Sequence, residues 1–145
     1  MVILSMTRVM ALGIFDIVHL GHLYYLNQAK NLGDELIVVV ASDANARFIM
    51  GDPVFPEMVR LEIVSSLKPV DHVVLNNGRN IYKIIEELKP DILALGFDQK
   101  FDVKKMENEL FKMGLKVKIE RLKKHPNSLL SSSKIVHAII SRDWT

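Results

Sequence analysis

Residues 36–41 read Leu-Ile-Val-Val-Val-Ala with no polar interruption, and this run constrains the fold more than any other stretch of the chain. A strand with one wet face alternates apolar and polar residues, whereas a strand apolar throughout and rich in valine is covered on both faces, as in parallel sheets. The run is also far too short to span a bilayer. Four more short segments read as strands: RVMALG ending at Gly13, HVVL at 72–75, DILALG ending at Gly96, and LKVKIE at 115–120.

Between these strands the period changes to that of a helix. Tyr25, Leu26, Ala29 and Leu32 recur at spacings of three and four and are closed by Gly33. Pro56 reads as the first residue of a helix carrying Val59, Ile63 and Leu67 and ending before Pro69. Ile81, Ile84, Ile85 and Leu88 form a third apolar stripe stopped by Lys89-Pro90, Val103 to Met113 a fourth helix ended by Gly114, and Ser131 to Ile140 a closing helix. Asp43 to Phe55 shows no such period and is expected to be irregular, with Gly51, Asp52 and Pro53 marking a turn. Five strands alternating with helices predict a doubly wound, five-stranded parallel α/β sheet with helices on both faces. Ligands of such sheets bind beyond the carboxyl ends of the strands, which points to the loops after Gly13, Ser42, Gly96 and Arg121.

At 145 residues, with 49% hydrophobic and 25% charged residues, the chain is expected to form a single domain over 1–145. Residues 1–6 would be an N-terminal extension and 142–145 a tail. The absence of cysteine excludes disulfides, a thiol nucleophile and thiolate metal sites. A net charge of +2 makes no case for nucleic acid. Most of the excess sits at Lys116, Lys118, Arg121, Lys123 and Lys124, either a solvated strand end or an anion-facing loop. No basic segment followed by a long apolar one opens the sequence, so no membrane partner and a cytoplasmic location are expected.

The chemistry concentrates in GIFDIVHLGHLYYL, residues 13–26. Lying between a strand and a helix, it offers free backbone N–H groups and the positive end of a helix dipole, which favour an anion. His19 and His22 flank Gly21, which lets a phosphate or a flat base approach the backbone closely, and each imidazole can donate a ring N–H to phosphate oxygens. A lone histidine is usually structural. Two histidines, a glycine and an upstream Asp16 at a strand-to-helix turn make a phosphate site the better reading.

The stretch GIFDIVHLGHLYYLNQAKNLGDELIVVVASD resembles the H-x-G-H nucleotidylyltransferase superfamily, close to its cytidylyltransferase-like branch. The likeness extends in order to PEMVRLEIVSSLKPVDHVVL, LKPDILALGFDQKFD and SSSKIV. Within that branch LKPVDHVVL and LKPDILALGFDQ are most similar to the archaeal FAD synthases, which transfer AMP from ATP to FMN. The resemblance implies a Rossmann-like fold, ATP and Mg²⁺, FMN as the small-molecule acceptor, and a homodimer to which the helix IYKIIEEL or a tail with Trp144 would contribute. It implies that His19 and His22 are catalytic, contacting the nucleotide phosphates with Leu20 and Gly21 between them and with backbone groups around Ile14 and Phe15 closing over them. Asp98 would hold the ribose or base, and Ser131, Ser132 and Ser133 the β- and γ-phosphates. Arg60 and Arg47 would lie on the acceptor side. No metal ligand is identified, Asp16 being an indirect candidate.

Three features depart from the family. Ile14 stands where threonine is usual, the loop ANARFIMGDP is poor in lysine, and KKHPNSLLSSSK lacks the cysteines of the archaeal enzymes, with His125 in that stretch. Alternatives to AMP transfer are a CTP-dependent cytidylyltransferase acting on glycerol 3-phosphate or another polyol phosphate, and a non-catalytic nucleotide-binding domain. A class I aminoacyl-tRNA synthetase core fits worse, because the chain has no room for anticodon or editing modules.

Overall fold

A computed structural model describes residues 5–126 and 131–143. Trp144 and residues 1–4 of the expected extension lie outside the described residues. In chain order the elements are β1 (Arg8–Gly13), α1 (Leu20–Asn31), β2 (Glu35–Val40), α2 (Asp43–Met50), α3 (Glu57–Ser65), β3 (His72–Leu75), α4 (Ile81–Leu88), β4 (Ile92–Leu95), α5 (Val103–Lys112), β5 (Lys118–Arg121) and α6 (Ser132–Ser141).

The strands form a five-stranded sheet in the order β3-β2-β1-β4-β5, and every pairing is parallel. The sheet is therefore the expected Rossmann-like, doubly wound one. Strand order reverses between β1 and β4, where Ala11 lies opposite Ala94. Alternation along each strand feeds two cores. Val9, Ala11, Leu36, Val38 and Val40 pack with Leu26 and Ala29 of α1 and Val64 of α3. Met10, Val39, Leu93 and Leu95 pack with Ile84 and Ile85 of α4 and Met106 and Leu110 of α5. Helices thus cover both faces, and the apolar face of α4 is spent on the sheet, leaving it no stripe for a second subunit.

Two expectations need correction. The segment after β2 is a helix, α2, because the Ser42 hydroxyl caps it by accepting from Asn45 N at 3.2 Å. Only Ala46 of this helix is buried, while Phe48, Ile49 and Met50 face out, so it has no inward apolar period to read. In α3 the buried residues are Arg60 and Val64, not the line Val59–Ile63–Leu67; Val59 is 41% exposed. The polar core residue Arg60 disguised the stripe.

Gly33 does follow α1, but its backbone is not left-handed. A Cβ there would lie 2.7 Å from the Thr7 carbonyl oxygen and 2.8 Å from Val9 Cγ2, so the glycine is required by close packing at the base of β1. Among the described residues no helix is long and apolar enough to cross a membrane.

Candidate active site

The floor of the site is the gap between the ends of β1 and β4. Tyr25, on α1, lies partly buried beneath it. Its hydroxyl donates to Ala94 O at 2.6 Å and accepts from Leu12 N at 3.2 Å, linking the two strands where they part. Burial drives its hydroxyl well above the usual phenol range. Gln99 makes a second link, donating from Nε2 to Leu12 O at 2.7 Å and accepting from Gly96 N at 2.9 Å. Arg121 then donates to Gly96 O at 3.0 Å and Phe101 O at 2.9 Å, holding the loop after β4. In the sequence Tyr25 reads as part of an apolar helix stripe, and Gln99 carries no motif role. A buried tyrosine needs a partner for its hydroxyl, and that was the available signal.

The loop from Ile14 to Ile17 is strained. Phe15 and Ile17 sit at φ 55° and 52°, in the left-handed region that bulky and β-branched residues avoid, at a cost of about 1–3 kcal/mol each. Three braces hold them there. The Asp16 carboxylate accepts from Val54 N at 2.7 Å and Phe55 N at 3.0 Å. Arg60 donates from beneath to Ile14 O, and the Ser132 hydroxyl donates to Asp16 O at 2.5 Å. Phe15, only 2% exposed, lies against Gly13, where a Cβ would come within 2.9 Å of its ring.

This loop delivers the histidines. His19 is the N-cap of α1: its Nδ1 accepts from Gly21 N at 3.1 Å, while His22 Nδ1 accepts from His19 N at 3.2 Å. The two rings are 4.0 Å apart between centroids. Because both Nδ1 atoms are acceptors, each neutral ring carries its proton on Nε2. Burial first, and then the neighbouring His19, push the His22 pKa down to about 4 against a weaker opposing pull from Asp16. His19 is lowered by burial as well. Both rings are thus neutral Nε2–H donors at neutral pH, not cations.

The remaining predicted residues divide. Ser131 caps α6, its hydroxyl accepting from Lys134 N at 3.2 Å, and Ser132 and Ser133 line a cleft beside Asp16. The N-terminus of α6 and the Asp16 loop are therefore one assembly. Asp98 is exposed on the loop after β4. Arg47 is exposed and pairs with Asp52 at 2.6 Å. Arg60 requires a correction: it is 0% exposed, and its guanidinium donates to Phe55 O, Ile14 O, Ala41 O and Asp43 Oδ1. It is a buried clamp that shapes the loop and does not face an acceptor.

Asp16 is likewise committed. Both its oxygens take backbone N–H groups, and among the described residues no cluster of three or more acidic or histidine side chains could hold a metal ion. The donors gathered here, ring N–H and helix N-terminal N–H groups, suit phosphate oxygens and do not ligate a cation.

Residues 10–138 match the Cytidylyltransferase-like family. A protein named FAD synthase from Aciduliprofundum boonei is 49% identical over 138 residues, covering 94% of this chain and 93% of the relative. Another of that name, from Archaeoglobus profundus, is 51% identical over 136 residues, covering 93% and 87%. A crystal structure described as the lipopolysaccharide core biosynthesis protein of Thermoplasma volcanium superposes with a TM-score of 0.81 at 49% identity, covering 83% of this chain and 99% of that one.

Proposed function

This chain belongs to the cytidylyltransferase-like family, and from that premise we propose that it transfers AMP from ATP to FMN, giving FAD and pyrophosphate. The relatives named FAD synthase support the choice of substrates. The observation that carries the chemistry is the reciprocal capping of His19 and His22, which fixes two neutral Nε2–H donors at a helix N-terminus, on rings whose centroids are 4.0 Å apart.

The acceptor phosphate is largely dianionic at neutral pH, its second pKa being about 6, so no base is needed. One of its oxygens attacks the α-phosphorus in line, the bond from that phosphorus to the pyrophosphate oxygen breaks, and pyrophosphate leaves with the electron pair. His19 and His22 donate to the phosphate oxygens as charge grows on them, with backbone groups of Ile14, Phe15, Leu20 and Gly21 around them. Ser131, Ser132 and Ser133 bind the β- and γ-phosphates, Asp98 the ribose or base. Arg47, paired with Asp52, lies on the acceptor side. The nucleotide enters as its magnesium complex, and the protein acts as a homodimer that covers Phe48 and Ile49, 93% and 69% exposed.

A pyrophosphate-release assay crossing ATP and CTP with FMN, glycerol 3-phosphate, a sugar phosphate, nicotinamide mononucleotide and phosphopantetheine tests this reading. Turnover of ATP with FMN above all other pairs is expected. The family's description favours one second reading, CTP with a polyol phosphate, and turnover of that pair alone would replace the flavin assignment. No turnover with any pair leaves a nucleotide-binding domain without catalysis.

A further inference from the structure

Helix α6 carries Ile135, Val136, Ala138, Ile139 and Ile140, yet none of its residues is buried. Across a gap from it stand the end of α2 and the segment after it, where Met50 and Val54 are 51% and 59% exposed. The gap is a cleft of about 340 Å³ whose apolar lining is Ile17, Met50, Val54, Val136 and Ile140. Ser132, Val136 and Ile140 recur every four residues, so one stripe of α6 forms a wall about 12 Å long at 1.5 Å per residue.

The cleft has a direction. At the Ser132 end the hydroxyl donates to Asp16 O, placing this end against the histidine-bearing loop and the N-terminus of α6. From there the α6 wall becomes apolar toward Ile140. Its two carboxylates are already engaged, Asp16 by the Val54 and Phe55 N–H groups and Asp52 by Arg47. A ligand with a phosphate at one end and a flat, largely apolar ring system at the other matches that gradient.

We propose that this cleft is the subsite for the acceptor's fused-ring system, gripped between the Val136–Ile140 stripe and Met50 with Val54, its phosphate leaving the cleft past Ile17 toward the histidine-bearing loop, clear of the serines that take the leaving pyrophosphate. The assignment rests on the AMP-to-FMN reading and deepens it. It also explains an apolar helix left uncovered in the protein alone: the ring supplies the missing packing, and this selects a heterocyclic over a polyol acceptor. His137, also in the lining, offers a polar contact for the ring's heteroatoms.

The test compares wild type with Val54→Asp and Ile140→Asp, both at exposed positions where the fold tolerates the change, by steady-state kinetics with ATP and FMN. The KM for FMN should rise at least tenfold in each variant while the KM for ATP stays within twofold, and riboflavin, the same ring without phosphate, should compete with FMN but not with ATP. A wild type that adenylates FMN alongside variants that keep its KM overturns the subsite and leaves the activity standing. Riboflavin that does not compete with FMN does the same. A smaller sedimenting mass in Ile140→Asp with an unchanged KM identifies a second copy of the chain as the occupant, against the proposal. A wild type inert toward FMN sinks the activity reading, and this subsite with it.

Discussion

Arg60 donates to Ile14 O at 2.7 Å from a guanidinium that is wholly buried. The same nitrogen reaches Ala41 O at 2.8 Å, so one side chain of α3 joins the loop after β1 to the end of β2. The histidine-bearing loop therefore takes its shape from a charge beneath it. That charge is balanced by Asp43 at 2.9 Å, the first residue of α2, and through it the helix beside the α6 cleft is tied to the same point.

Replacing Arg60 with lysine or alanine should cost about 3 kcal/mol or more, because buried carbonyl oxygens and a carboxylate lose their donors together. Lysine keeps the charge but lacks the planar fork that serves Phe55, Ile14, Ala41 and Asp43 at once. Urea unfolding measures this loss. If Arg60→Lys kept full stability and raised only the KM for the acceptor, the side chain would be a substrate ligand and not a clamp.

His19 has two roles that a single substitution separates. Asparagine is among the best N-cap residues, so His19→Asn should preserve or slightly raise thermal stability while removing the ring's Nε2–H. Turnover should fall by roughly two to four orders of magnitude, mostly in kcat, as when a transition-state donor is lost. His22→Ala should match that loss in turnover and also release His19 N from its acceptor. Near-normal kcat in His19→Asn would reduce the pair to a helix cap.

Strands and most helices were legible because burial on both faces of the sheet leaves an unbroken apolar run, as in Leu36–Val40, and an inward stripe such as Ile81–Leu88. Legibility ended where an element is held by polar groups. α2 depends on a serine cap and buries one alanine, and α3 turns an arginine inward; neither leaves an apolar period. Composition and spacing make the histidine motif a candidate phosphate site. Its mutual Nδ1 capping, which decides the tautomer, depends on side-chain rotamers that spacing does not encode. Tyr25, Gln99 and Arg121 were missed for a related reason: their partners are backbone groups of β1, β4 and the loop after β4, distant in sequence from the side chains they meet, except for Gln99 and Gly96.

Stability should depend on acid through His22. Its folded pKa of about 4 lies below the ordinary value of 6.5, so between those values the unfolded chain binds the proton more readily than the folded one. Unfolding free energy therefore falls as pH drops from about 6.5 toward 4, by a few kcal/mol at most. Chemical denaturation at pH 7.0 and 4.5 measures the fall, and His22→Asn should flatten it. An equally steep fall in the variant would assign the dependence to other groups.

Ser132 offers the clearest link between order and catalysis. Its hydroxyl donates to Asp16 O between two left-handed residues, and the helix it begins has no buried side chain to anchor it. Ser132→Ala should lower global stability by only about 1 kcal/mol, the ordinary worth of one hydrogen bond. Its effect on α6 should be larger, because a helix with little burial opens locally at low cost. Amide hydrogen exchange along 133–141 should quicken by tenfold or more, with protection in α1 and the sheet unchanged. kcat should fall with it, since the loop carrying His19 loses one of its three braces. Exchange in α6 that matches wild type would show that the helix is docked by other contacts and that Ser132 acts on substrate alone.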